Sequence, residues 1–102
     1  MSKLYDSPAM RETVKRLLKS EMALKGMDYR ALAGRLEELG VSQSEANLRM
    51  KISRGTLGAQ MFMYILLALG VRQLELSRVE DCLADVSVEP GAELEPERAS
   101  QE

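Results

Sequence analysis

The sequence predicts an all-α fold of four to five helices, and three observations carry that prediction. The apolar residues are mainly Leu, Ala and Met, with three Tyr, one Phe and no Trp, a composition that favours helix over strand. Apolar positions recur at three- and four-residue spacing from Met10 onward, the period of a one-sided helix. Single glycines at 26, 40, 55 and 70 follow the first four apolar segments, where a left-handed residue closes a helix. With 102 residues the chain has room for one small domain and one core.

The first helix is opened by Asp6-Ser7-Pro8, with Ser7 as cap and Pro8 at a position where its missing N–H costs nothing. It runs to about Lys25 and stops at Gly26. Met10, Val14, Leu17, Leu18, Glu21 and Leu24 share helical spacing, and Glu21 is the one break in that stripe. Arg11, Lys15 and Lys19 form a basic row beside it, readable as solvated surface or as phosphate contacts. Asp28 caps a second helix over about Tyr29–Leu39, with Leu32, Leu36 and Leu39 inward and Met27 packing back onto Leu32. Ala33 is small enough for another helix to cross close by, and Val41 plugs the corner after Gly40.

The third helix, about residues 43–54, is the informative one. Ser42 and Glu45 have capping-box spacing, and Gly55 stands just past the end. Val41, Ser44, Leu48 and Ile52 fall on one side, suited to a core. Gln43, Asn47, Met50, Lys51 and Arg54 fall in another sector about 100° wide. That second set offers amides for adenine, cations for guanine or phosphate, and a thioether for a thymine methyl. An ordinary solvated face is the competing reading.

The fourth helix, about Ala59–Leu69, is apolar on nearly every side, so it must be covered on nearly every side. Residues 71–84 or a second copy of the chain are the candidates, and a homodimer formed through this helix together with residues 71–84 is expected. Ser77 and Glu80 repeat the capping-box spacing ahead of Val79, Cys82 and Leu83, which predicts a short fifth helix over 78–84. An extended segment is the alternative. From Asp85 onward no core pattern remains, and residues 85–102 are expected to be a disordered acidic tail behind a domain of residues 7–84.

The net charge of −2 conceals an asymmetry. Residues 1–74 hold 12 Lys/Arg against 7 Asp/Glu, and residues 75–102 hold 2 against 9. A mildly basic body suits a polyanion partner. Catalysis is not expected: the chain has no His and one Cys, Cys82, which removes the commonest general base and the usual zinc spacings. The glycines occur singly, with no phosphate-cradling loop, so neither metal nor cofactor is expected. The N-terminus has no signal-like apolar run, and Met61–Leu69 is about half the length needed to cross a bilayer. A cytoplasmic protein is expected, nucleoid-associated when bound to DNA.

Residues 27–71 resemble the lambda-repressor-like, Xre-type helix-turn-helix. The likeness lies in Leu32-Ala33, Gly40-Val41 at the turn, a polar third helix ending in Arg54-Gly55, and a following apolar helix that closes with Ala68-Leu69-Gly70-Val71. Ala33 lies seven positions before Gly40, about one helical turn more than in the Xre pattern, and Ser53 stands where many such proteins carry Glu. A closer resemblance, over about residues 8–75, is to a family of small bacterial proteins catalogued as a domain of unknown function. It rests on Glu45-Ala46-Asn47-Leu48-Arg49, Lys51-Ile52-Ser53-Arg54-Gly55 and Ala68-Leu69-Gly70. The Xre resemblance implies a bacterial transcriptional regulator that binds double-stranded DNA as a homodimer. Gln43, Asn47, Lys51 and Arg54 would then face base edges, with Met50 making an apolar contact. Arg30, Arg49 and the Arg11, Lys15, Lys19 row would meet phosphates. The alternative is a protein-interaction module using the apolar helix 59–69 and the acidic tail. RNA binding is a third option, disfavoured by the scarcity of aromatics for stacking.

Overall fold

A computed structural model describes residues 6–88. They form five α-helices: α1 (Pro8–Lys25), α2 (Tyr29–Glu38), α3 (Glu45–Arg54), α4 (Ala59–Ala68) and α5 (Leu76–Val88). No strand occurs among the described residues. The all-α expectation holds, and so do most of the punctuation marks. Ser7 Oγ accepts from the Met10 N–H at 3.1 Å, and Asp28 Oδ1 accepts from the Ala31 N–H at 2.8 Å. Gly26 and Gly55 close α1 and α3 in the left-handed conformation.

One core joins the first four helices. Leu18 and Met22 of α1, Leu32 and Leu36 of α2, Leu48 and Ile52 of α3, and Ile65 and Ala68 of α4 are buried together with Leu69. Val41 tucks against this cluster, its N–H bonded to the Leu36 carbonyl at 2.9 Å, so the corner after Gly40 is fixed by packing and by a hydrogen bond. α2 thus packs on both α3 and α4, while α1 packs on α3 and α5.

α1 has a second buried row, Ala9, Thr13, Leu17 and Glu21, four residues apart. At its end Glu21 Oε2 accepts from Arg78 Nη1 of α5 at 2.6 Å, and Arg78 Nη2 donates to Ser20 Oγ at 3.1 Å. The charge that interrupts the apolar stripe is therefore one half of an interhelical ion pair. Leu24, a turn beyond that pair, lies past the covering helix and is 73% exposed rather than inward. Leu39, which caps α2 instead of belonging to it, is likewise exposed.

Other sequence expectations also need correction. The α3 cap is Ser44, whose Oγ accepts from the Asn47 N–H at 3.1 Å, and not Ser42. The corner held by Gly40 and Val41 leaves residues 41–44 outside any helix, so the helix begins at Glu45. Ser77 lies inside α5, not at its cap, and the helix is longer than the expected 78–84. Residues 85–88, assigned from sequence to the tail, continue α5, and Val86 is 2% exposed. Its apolar side chain finds a place that only the assembled helices provide. The expected disorder of the rest of the tail concerns residues 89–102, which lie outside the described residues.

Candidate nucleic-acid interface

The interface is built on α3, a helix of ten residues, about 15 Å long at 1.5 Å per residue. Leu48 and Ile52 are fully buried and fix its rotation. That rotation turns Asn47, Met50 and Arg54 into solvent, with Lys51 half-buried between them. These four positions follow i, i+3, i+4, i+7 spacing and so share one face. Met50 is 42% exposed. A methionine left in water on the polar side of a helix is available for contact rather than for the core. Lys51 and Arg54 sit in the last turn, where cations also suit the partial negative charge of the helix end.

Gly55 sets how close α3 comes to α1. Its φ is +67°, and a Cβ placed on it would fall 2.7 Å from the carbonyl carbon of Arg11 and closer still to the carbonyl oxygen. Backbone meets backbone here, so the start of the α1 basic row lies against the C-terminal end of α3. Lys15 and Lys19 follow about 6 and 12 Å further along α1.

The flanking cations differ in their freedom. Arg49 is held by Glu45 at 3.4 Å and lies over the Tyr29 ring, 5.1 Å from its centroid. Tyr29 opens α2, so this contact ties the start of α2 to the middle of α3. Arg11 pairs with Asp6 at 3.0 Å, and Lys15 approaches Glu12 at 3.8 Å. Lys19, Arg30 and Arg54 are exposed. These three and Lys51 have no ion pair among the described residues. Partly exposed pairs of the Arg11 and Lys15 kind are still well solvated and worth little, so a phosphate could replace the carboxylate at small cost.

Gln43 departs from the expected set. It precedes α3 by two positions and is half-buried, with its side-chain oxygen out of water and without a hydrogen-bond partner. It therefore does not share the outward face of Asn47 and Lys51. The Tyr29–Arg49 contact was not visible in the sequence, because it joins residues twenty apart. The Glu45–Arg49 pair has i, i+4 spacing and was open to reading.

A family model described as a domain of unknown function (DUF6471) matches residues 10–74, and the chain belongs to that family. The match begins in α1 and ends before α5, so it takes in all of α2, α3 and α4. No curated protein and no solved structure matches the chain. No helix among the described residues is long and apolar enough to cross a membrane.

Proposed function

We propose that this protein is a sequence-specific binder of double-stranded DNA, acting as a cytoplasmic transcriptional regulator without catalysis or cofactor. The observation that carries the reading is the Asn47, Met50, Lys51, Arg54 face, whose two cations have no ion pair among the described residues, turned away from the buried Leu48 and Ile52. An α-helix fits the major groove, where Asn can pair with adenine, Lys and Arg with guanine O6 and N7, and an apolar group with the thymine methyl. α2 packed across α3, with Gly40 at the corner, supports a helix-turn-helix of the Xre type. Arg30, Arg49 and the α1 row supply phosphate contacts on either side. Gln43 is left outside the base-reading set.

Selection from a random or genomic DNA pool, followed by titration of the enriched site, tests the reading. The wild type should enrich a motif, and its affinity should fall with salt with a log–log slope of about −0.9 per neutralised phosphate. Lys51→Ala and Arg54→Ala should each lose about 1–3 kcal/mol of specific binding while keeping the helical signal. A pool that yields no motif, or unchanged affinity in both variants, overturns the assignment.

A further inference from the structure

α4 carries an exposed apolar stripe that none of the described helices covers. Met63 is 59% exposed, Tyr64 40% and Leu67 61%, while Ile65, Ala68 and Leu69 point into the core. With Gln60, also exposed, the stripe has positions 60, 63, 64 and 67, the spacing of one helix laid along another. Sequence alone left residues 71–84 as a possible cover. The structure assigns α5 elsewhere, onto α1, where Arg78 grips Glu21 and Ser20. These three residues leave on the order of 300 Å² in water, comparable to the largest apolar patch on a typical monomer, which is often functional.

We infer that this stripe is the two-fold interface with a second copy of this chain. The charge pattern selects that occupant. From Gly55 to Val71 there is no Asp, Glu, Lys or Arg, in a chain that is 29% charged. A surface without charge can meet its own image without like-charge contact, whereas an acidic or basic partner finds no complement on it. The chain's acidic segment 89–102 is poorly suited as a cover, since it offers one large apolar residue, Leu94, against five Glu. A stable interface buries about 800 Å² per partner, so the stripe supplies the apolar centre and its polar surroundings the rim. The expected contact is a concentration-dependent dimer with α4 crossing α4.

The test is sedimentation velocity on the purified full chain without DNA, from about 1 to 200 µM, a range that brackets a micromolar association. This separates it from the DNA-binding proposal, which stands or falls on its own titrations. The wild type should move from one chain to two across the range. Met63→Glu and Leu67→Glu should each raise the concentration for half-association by at least about tenfold. Leu24→Glu, which places the same charge on an exposed leucine of α1, should leave it unchanged. A second measurement does not rely on weakened variants. In a Cys82→Ser background, Tyr64→Cys should form a two-chain disulfide under mild oxidation faster than Leu24→Cys. A wild type that stays a single chain throughout, association insensitive to both α4 charges, or equal cross-linking at the two sites would each overturn the inference.

Discussion

Replacing Gly55 by Ala probes the contact on which the placement of α3 depends. Two costs arise at this position. An L-residue at a φ of +67° pays about 1–2 kcal/mol for the left-handed conformation. The added methyl also enters the space of the Arg11 carbonyl, and overpacking of this kind costs about 1–3 kcal/mol. The neighbour is helix backbone, which cannot swing aside as a side-chain tip would, so α1 and α3 must separate. Together the loss is roughly 2–5 kcal/mol, a large share of the roughly 5–15 kcal/mol that holds a small domain. Gly26 and Gly40 supply the control, since both have positive φ and neither has an atom within 4 Å of an added Cβ. Gly26→Ala and Gly40→Ala should therefore lose only the conformational part, about 1–2 kcal/mol. Urea unfolding followed by circular dichroism, at one fixed protein concentration, reads all three. At a slope of about 1–3 kcal/mol per molar urea, the separation between Gly55→Ala and the controls is resolvable. Equal losses at the three glycines would refute the close approach of α1 and α3.

Leu48→Ala should destabilise the domain by about 2–5 kcal/mol, because the side chain is fully buried in the shared core; a melt within error of wild type would contradict that placement. Arg78→Ala removes the partner of a Glu21 side chain that is 11% exposed. Its cost should be about 1–3 kcal/mol, between the values for surface and fully buried pairs, and thermal unfolding measures it. Truncation after Val88 should leave the melt unchanged, whereas truncation after Ala84 also removes the buried Val86 and should lower it. The segment 89–102 carries five Glu and one Arg, a net −4, and opposes a basic body. Removing it should tighten non-specific DNA binding at low salt, and superimposable isotherms would dispose of that competition.

What the sequence determined by itself is local in origin. Ser7-Pro8, Asp28 and the glycines at 26, 40 and 55 act on backbone groups within a few residues, so the ends of α1, the start of α2 and the close of α3 were legible from composition and spacing. The inward Leu32, Leu36, Leu48 and Ile52 were legible for the same reason, since helical period alone ties them to one side. The choices that involved two elements were not. Capping-box spacing pointed to Ser42, but the corner held by Val41 against Leu36 set the helix start later, with Ser44 as its cap. Glu21 looked like a flaw in an apolar stripe until Arg78, 57 residues away, supplied its partner. The same α5 docking carried the helix through residues 85–88, which have no core pattern of their own, and buried Val86. Gln43 left the outward face once the start of α3 moved to Glu45, and Arg49 found Tyr29 across the interhelical corner. The all-round apolar α4 said only that something must cover it. Tertiary structure showed which side the core takes and that α5 turns to α1, because burial is settled by the neighbours a helix has and not by its own sequence.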